Sequence, residues 1–244
     1  MMIGLHQIDV AANNLANADT AGYRRADTVQ RAFPELLMHR IEKQSSGPGT
    51  SVSAVPIGGL GLGATIDGTY TDFSAGSLRT TDNPLDLALL EPNMFFTIDT
   101  DQGVRYTRSG AFALNPNGTV VTSNGDHVLG QRGPIRIQGN SLVIDDDGVV
   151  YVDDQAVDRL LVTTFNDPER LERDAAQYFA AAPEAGAVLA NGFTVLQGHL
   201  ERSNVNVVQE LVKMINLHRA YEANQRSVKA ADETLGKLVN ELTI

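Results

Sequence analysis

The two ends of the 244-residue chain carry hydrophobic residues at helical spacing, whereas its centre does not. Over residues 1–17 the apolar side chains recur every three or four positions, at Met1, Leu5, Ile8, Ala12 and Leu15. This spacing predicts an amphipathic helix of about four turns, because it aligns these side chains along one face. So short a helix is marginal in water, and we therefore expect it to need a packing partner.

Polar residues are predicted to end this first helix. Asn17, Asp19 and Thr20 favour local side-chain hydrogen bonds over further helical turns, and Gly22 can adopt a positive φ angle. The helix is therefore expected to stop there. Residues 28–43 mix apolar and polar positions without a clear period, and their conformation is left open.

The last segment of the chain, from Ser203 onward, contains no proline, and its only glycine is Gly236. Such a segment predicts one helix of roughly 35 residues, about 50 Å long, with Ser203 as the N-cap and Asn204 or Asn206 as competitors. One register of the helix is apolar or aromatic at every seventh residue, whereas the interleaved register is largely polar. The apolar register is Val207, Met214, Tyr221, Val228, Leu235 and Leu242. A strict seven-residue repeat predicts helix–helix packing, and the first helix is the expected partner.

The centre of the chain, residues 64–165, consists of short β-prone runs separated by glycine-containing turns. Asn117-Gly118 and Asp147-Gly148 each lie between two such runs, which is a strong hairpin signal. Many short strands with frequent turns predict a sandwich or an irregular barrel. Residues 168–182 are predicted to be partly helical.

Together these patterns predict an α+β fold, in which the terminal helices form a coiled-coil-like layer beside a central all-β domain of short antiparallel strands. Four regions are expected. They are an N-terminal helix with its following segment (1–44), a linker rich in Gly, Ser and Pro (45–63), the β domain (64–198) and the C-terminal helix (199–244).

Composition narrows the possible functions. The net charge of −11 argues against nucleic-acid binding, because phosphate contacts need clustered Lys and Arg. No apolar run reaches about 18 residues, so no membrane insertion is expected. The chain has no cysteine, which excludes disulfides and thiolate chemistry. Its first residues lack the basic start and apolar core of a cleaved secretory signal. A cytoplasmic protein, or one that leaves the cytoplasm without such a signal, fits these facts.

Candidate chemical motifs are weak. The stretch Gly59–Ala64 matches a dinucleotide-binding pattern, but a Ser/Pro-rich segment precedes it where a strand is required. Asp145–Gly148 lacks the alternating ligands of a calcium loop and is better explained as a hairpin turn. The five histidines show no metal-ligand spacing. We therefore expect no catalytic residue, no cofactor and no metal.

Three segments of the chain resemble the bacterial flagellar basal-body rod and hook protein family. The first is NNLANADTAGYRR (Asn13–Arg25), and the second is Thr81–Gly130, with its Leu-Asp-x-Ala, Phe-Phe and Tyr-Thr-Arg landmarks. The third is Leu200–Leu235, with Glu-x-Ser-Asn-Val-Asn and Arg-Ala-Tyr-Glu-x-Asn. They occur in the family's order and nearly span the chain. The segment from Ser203 to Glu222 is most similar to distal rod members, whereas residues 133–171 are at least as similar to proximal ones.

The resemblance implies a structural subunit that stacks helically into the axial drive shaft across the periplasm and transmits torque to the hook. It implies inner packing of the two terminal helices, termini that order on assembly, and export through the flagellar type III apparatus without a cleaved signal. The implied partners are copies of itself, other rod and hook subunits and the export apparatus. Family members usually carry about a turn or more of helix before the position of Met1. The resemblance therefore implies that the start is misassigned, that the chain is trimmed, or that this member has a shorter inner helix.

The expected assembly interface combines apolar positions of both helices with asparagines that could cap helix ends and fix register. Its residues are Leu5, Ile8, Asn13, Asn14, Leu15, Asn17, Gly22, Tyr23, Ser203, Asn204, Val205, Asn206, Val207, Leu211, Met214, Ile215, Tyr221, Glu222, Val228 and Leu235. Solvated turn formation is the alternative role of the asparagines, and Tyr23, Arg24 and Arg25 could anchor the turn after the first helix. The alternative function is a non-catalytic β binding module with a coiled-coil oligomerisation tail.

Overall fold

The structure is a computed structural model, and it describes residues 2–33, 35–45, 50–61, 63–139, 141–174, 177–182, 185–190 and 192–241. Its two α-helices are α1 (Met2–Ala16) and α2 (Val207–Glu241). The strands before the central domain are β1 (Ala26–Ala32), β2 (Leu36–Ser45), β3 (Thr50–Leu60), β4 (Ala64–Thr71) and β5 (Leu78–Thr80).

The remaining strands follow in chain order. They are β6 (Leu87–Leu89), β7 (Met94–Thr100), β8 (Gly103–Thr107), β9 (Phe112–Leu114), β10 (Val120–Thr122), β11 (His127–Gly130), β12 (Gly133–Pro134), β13 (Leu142–Ile144), β14 (Val149–Val152), β15 (Gln155–Arg159), β16 (Val162–Phe165), β17 (Leu171–Asp174), β18 (Tyr178–Ala181), β19 (Ala187–Leu189), β20 (Val195–Gln197) and β21 (His199–Glu201). The α+β class predicted from the sequence is confirmed.

The two helices pack against each other in antiparallel orientation. A Cβ atom placed on Gly4, near the start of α1, would lie 4.0 Å from the Tyr221 ring in the middle of α2. Just after α1, Asp19 forms an ion pair with Arg202, which precedes α2, at 3.1 Å. The shorter helix therefore covers only the first four turns or so of α2.

The buried face of α1 is not its most apolar face. Ala11 and Asn14 are buried, whereas Leu5 is 44% exposed. Ile8 and Leu15 of the predicted stripe are half-buried, so the stripe lies at the border of the buried face rather than at its centre. The stripe is therefore only partly covered within the chain, and the buried face is centred on Ala11 and on Asn14, whose side chain hydrogen-bonds to Ala26.

The segment between α1 and the central domain forms a long antiparallel ribbon. In the ribbon β1 pairs with β4 and β2 pairs with β3, and Phe33 N–H donates to Gly63 O at 2.9 Å between the two ladders. The structure thus contains a strand, β3, inside the region predicted as a linker (45–63). It also contains strands within residues 28–43, whose conformation the sequence left open. The Gly, Ser and Pro content of β3 lowers its strand propensity. Pairing with β2 nevertheless supplies the backbone hydrogen bonds that a strand needs.

The central domain holds two hydrophobic clusters. The larger one lies between a ten-stranded sheet and the β13–β14–β15 sheet, and includes Phe96, Ile98 and Phe112. The smaller one is aromatic, with Phe95 in edge-on contact with Phe73 and Phe179. Both predicted hairpins are confirmed, since β9–β10 and β13–β14 flank turns in which a glycine has positive φ.

The prediction of partial helix over residues 168–182 is wrong. Pro168–Arg170 forms only one 3₁₀ turn, and β17 and β18 follow it as an antiparallel pair. Tyr178 and Phe179 are buried in β18, which also pairs with β8. Tertiary burial of these two aromatic residues outweighs the local helix propensity of the surrounding alanines. Neither described helix is long and apolar enough to cross a membrane.

Candidate functional site

Two arginines converge on one buried carboxylate where the N-terminal segment meets the β domain. Arg24 Nη1 lies 2.8 Å from Glu201 Oε1, and Arg108 Nε lies 2.5 Å from Glu201 Oε2. All three side chains are at most 2% exposed. Arg108 also donates to the carbonyl oxygens of Leu89 and Met94. Burial lowers the pKa of Arg108, and Glu201 opposes that shift. The cluster joins both ends of the chain to the central domain.

Asn14 holds the turn that follows α1. Its amide donates to Ala26 O at 2.7 Å and accepts from Ala26 N–H at 2.9 Å, which completes a closed pair of hydrogen bonds. The Tyr23 hydroxyl lies 3.0 Å from Asn14 Oδ1 and 2.9 Å from Asn13 Oδ1. On the far side of the Tyr23 ring, the Arg173 guanidinium stacks 4.6 Å from the ring centre. Burial raises the pKa of Tyr23, while Arg173 opposes that rise.

Gly22 allows the chain to pass close to the β domain. Its φ angle is +67°, and a Cβ atom at this position would lie 2.3 Å from Ser109 N and 2.5 Å from Arg108 C. The Gly22 N–H donates to Glu201 O at 2.8 Å. Any larger residue would move the N-terminal segment away from this contact.

Asn204 connects three segments immediately before α2. Its side-chain oxygen Oδ1 accepts a hydrogen bond from Arg25 N–H at 2.7 Å, and its side-chain nitrogen Nδ2 donates one to Asp72 O at 2.9 Å. Asn206 then caps α2, because its side-chain oxygen accepts from the backbone N–H groups of Val208 and Gln209. Asn206 therefore fills the role for which Ser203 was the first candidate.

Ion pairs also tie the start of α2 to the ribbon. Lys213 Nζ lies 2.9 Å from Asp27 Oδ1, and Arg25 lies 3.7 Å from Glu210. Burial alone would raise the pKa of Asp27, but the hydrogen bond and charge of Lys213, together with the Thr28 N–H, hold it below its usual value. The helix pair and the ribbon are thus held together by ion pairs in which Glu210 is buried and the other three side chains are partly exposed.

Helix α2 carries apolar residues on faces that α1 leaves uncovered. The side of α2 facing α1 includes Met214, Leu217 and Tyr221, which are half-buried. A second group lies on another side of the same turns and is exposed by 43–69%. We call this group the outward stripe, and it consists of Val208, Leu211, Val212 and Ile215.

Beyond α1, the α1-facing side of α2 continues without a cover. Residues 222–238 are all exposed. The apolar residues at the helical spacing of this side form the distal stripe, which consists of Val228, Ala231, Leu235 and Leu238. On α1 the corresponding group is the α1 stripe, which consists of the exposed Leu5 and Ala12 and the half-buried Ile8 and Leu15.

The structure brings only part of the sequence-predicted interface together. The predicted residues at the junction are Asn13, Asn14, Asn17, Gly22, Tyr23, Ser203, Asn204, Val205 and Asn206. The predicted residues on exposed or half-exposed helix faces are Leu5, Ile8, Leu15, Val207, Leu211, Met214, Ile215, Tyr221, Glu222, Val228 and Leu235. Sequence reasoning assigned no role to Arg108, Glu201 or Arg173, because a charged residue in a β-rich region gives no sign that it is buried. Arg108 and Glu201 nevertheless lie in the quoted Tyr-Thr-Arg and Glu-x-Ser-Asn-Val-Asn motifs, which were a signal for them. Among the described residues, no group of acidic or histidine side chains could hold a metal ion.

Comparison with known proteins matches three parts of the chain to family models. Residues 5–24 match the model described as "Flagella basal body rod protein". Residues 90–152 match "Flagellar hook protein FlgE/F/G D1 domain", and residues 196–241 match "Flagellar basal body rod FlgEFG protein C-terminal".

Full-length relatives are similar across nearly the whole chain. The chain is 31% identical to the flagellar hook-basal body complex protein FlhO of Bacillus subtilis, over 99% of this chain and 95% of the relative. It is 34% identical to the flagellar basal-body rod protein FlgG of Buchnera aphidicola subsp. Schizaphis graminum, over 95% of this chain and 92% of the relative. The FlgG protein of Bacillus subtilis is 30% identical, over 96% of this chain and 92% of the relative.

Proposed function

This chain belongs to the flagellar basal-body rod and hook protein family, and we propose that it is a rod subunit that polymerises through the uncovered faces of its terminal helices. The family is structural rather than catalytic. The observation that carries the proposal is the outward stripe of α2, four aliphatic side chains on turns whose other side already packs on α1.

Burial of the outward stripe would favour association. Fully burying one aliphatic side chain contributes about 1.5–3 kcal/mol, so several at one contact offset the cost of ordering the chain ends. A shallow apolar groove runs beside this stripe, between Val208, Val212 and Leu217. A helix from a second copy would fill it in the manner of ridges packing into grooves.

The α1 stripe and the distal stripe of α2 are matched in length. The first and last residues of each stripe are ten positions apart, or about 15 Å along the helix. They are Leu5 and Leu15 in α1, and Val228 and Leu238 in α2. In an axial stack, α1 of one copy could therefore lie on the distal part of α2 of the next copy. Repetition of this heterologous contact gives an open polymer rather than a closed dimer. This contact would pack the terminal helices of successive copies side by side, and it would give the coiled-coil packing that we propose for the inner layer.

The ribbon offers a further contact. Each of its two ladders, β1–β4 and β2–β3, has two strands only, a sheet that is marginally stable in water without packing. Exposed apolar side chains lie along it, including Leu36, Leu37 and Ile57. Covering them against neighbouring copies would stabilise the ribbon and bury the exposed hydrophobic surface.

The position of the subunit in the rod, its neighbours and its export route are proposed from family membership. We propose the distal rod as the position, because relatives named FlgG share about a third of their residues with this chain, and the proximal rod as the second candidate. The protein would cross the periplasm as part of the rod, contact other rod and hook subunits, and reach its site through the flagellar export apparatus without a cleaved signal. The alternative of a binding module with an oligomerisation tail is not favoured by these relatives.

Sedimentation velocity of the full chain tests the proposal. Val212→Asp places a charge in the outward stripe. Ala230→Asp places the same charge at an exposed position of α2 whose neighbours one turn away, Arg226, Ser227, Glu233 and Thr234, belong to neither stripe. We expect concentration-dependent elongation for the wild type and the Ala230 variant and its loss in the Val212 variant. A single closed oligomer in the wild type, or elongation that the Val212 variant retains, would contradict the proposed interface.

A further inference from the structure

A polar cavity lies on the surface of the β domain, away from the helices. Its volume is about 380 Å³, within the range of about 300–1,000 Å³ that is typical of small-molecule sites. The lining residues are Asn115, Asn117, Thr119, His127, Pro134 and Arg136. None of them is acidic, although the whole chain has 30 acidic and 19 basic residues.

The cavity has a fixed frame. Asn115 Oδ1 accepts hydrogen bonds from the backbone N–H groups of Asn117 at 3.0 Å and Thr119 at 2.8 Å, which holds the β9–β10 turn. Thr119 forms a backbone bridge to Arg136, and Ile137 N–H donates to Gly118 O at 2.7 Å. The turn and the segment after β12 therefore hold the lining side chains at set positions.

Three polar side chains around this cavity have an atom without a partner within the part of the chain that the structure describes. The exposed Arg136 guanidinium forms no ion pair there, and the Asn117 amide makes no side-chain hydrogen bond. His127 Nδ1 is buried and unpartnered in the same set of residues. Buried polar atoms are nearly always satisfied in folded proteins, so the buried His127 Nδ1 indicates a polar partner from outside the chain, while the exposed Arg136 and Asn117 groups are accessible to a ligand.

The neighbouring carboxylates do not occupy the cavity. Asp126, next to His127, accepts a hydrogen bond from the Tyr178 hydroxyl at 2.7 Å in a different cleft. Asp99 is the cross-strand neighbour of His127 but does not line the cavity. The positive charge of Arg136 is therefore available to an anionic ligand.

We propose that this cavity binds a small sugar that carries a carboxylate. Arg136 presents the planar fork that pairs with a carboxylate through two hydrogen bonds. The amides of Asn115 and Asn117 would hydrogen-bond to sugar hydroxyl groups, and the Pro134 ring offers an apolar surface for the C–H face of the sugar. The site does not depend on the helix faces and is independent of polymerisation.

Nuclear magnetic resonance titration of the full-length protein with D-glucuronate tests this inference. We expect saturable shifts of the backbone amides of Gly118, Thr119 and His127. D-glucose is expected to cause none of these shifts, because it lacks the carboxylate. Acetate is expected to bind more weakly than glucuronate, because it leaves Asn117 and Pro134 without contact.

Two arginine variants complete the test. Arg136→Met should weaken glucuronate binding at least tenfold, which corresponds to about 1.4 kcal/mol. Arg132→Met is the matched control, since Arg132 is exposed in the same segment but does not line the cavity, and it should bind as the wild type does. The inference is overturned by the absence of saturable shifts, by equal effects of glucose or acetate, or by unchanged binding in the Arg136 variant.

Discussion

Arg24 and Glu201 form an ion pair of 2.8 Å whose side chains are 0% and 2% exposed. The pair joins the segment after the first helix to the last strand before the second helix. Arg108 binds the other oxygen of the same carboxylate. This one acidic group therefore connects the N-terminal segment, the β domain and the C-terminal segment.

Glu201→Gln should lower the free energy of unfolding by about 3–5 kcal/mol, because it leaves two buried arginines without a counter-charge. Urea unfolding followed by circular dichroism measures the change. Glu172→Gln is the control, since Glu172 is exposed, and it should change stability by less than about 0.5 kcal/mol. Equal effects of the two substitutions would mean that the buried cluster does not stabilise the fold.

Gly22→Ala should detach the N-terminal segment while leaving the β domain folded. The alanine would have to adopt a positive φ angle, and its Cβ would overlap the Arg108–Ser109 backbone. Hydrogen exchange should then show lost protection in residues 2–26 and unchanged protection in β7 and β16. Gly61→Ala is the control, because nothing lies within 4 Å of that Cβ position. Loss of protection throughout the β domain would show that the segment is part of one cooperative core.

Asn14→Ala should destabilise the protein by about 1–3 kcal/mol, because the Ala26 backbone groups would lose both hydrogen bonds from the Asn14 side chain. Asn13→Ala is the matched comparison. It is exposed, and among the described residues its side chain hydrogen-bonds only to the Tyr23 hydroxyl and the Asn17 amide, so a smaller loss is expected. Thermal unfolding of both variants measures the difference, and a reversed order would contradict the role assigned to Asn14.

Leu211→Asp and Tyr221→Asp should both abolish polymerisation and motility, but by different routes. Leu211 lies in the outward stripe, so the monomer should keep its α1–α2 packing. Tyr221 lies beside Gly4 of α1, so its substitution should also release α1. Sedimentation and hydrogen exchange separate the two effects. A collapsed β signal in circular dichroism would instead assign these residues to a single monomeric core.

Tyr178 should make stability depend on alkaline pH. Burial raises its pKa to about 12, and the hydrogen bond to Asp126 contributes to that rise, whereas Thr122 opposes it. Because the folded-state pKa lies above the unfolded value of 10.0, this contribution to stability is complete below pH 10 and is lost as pH rises through about 12. Unfolding measured across this range should show a smaller loss for Tyr178→Phe. Equal pH dependence of the two proteins would contradict the assignment.

The sequence by itself determined the terminal helices and the two tight hairpins. Helical periodicity involves residues three or four apart, and the turns at Asn117-Gly118 and Asp147-Gly148 depend on backbone preferences of two adjacent residues. Both signals are local and can be read without knowing the fold. The same patterns, with the three family motifs, identified the class of protein.

Only the tertiary structure decided which face of each helix is buried and which charges meet. The pattern of α1 favoured burial of Leu5 and Leu15, but Leu5 is exposed and Leu15 only half-buried, while the buried face is centred on Ala11 and Asn14. Glu201 lies 93 positions from Arg108, and the ribbon strands find partners that their Gly, Ser and Pro content does not predict. These contacts depend on long-range pairing, because burial and hydrogen bonding between distant segments outweigh the preferences of any short stretch.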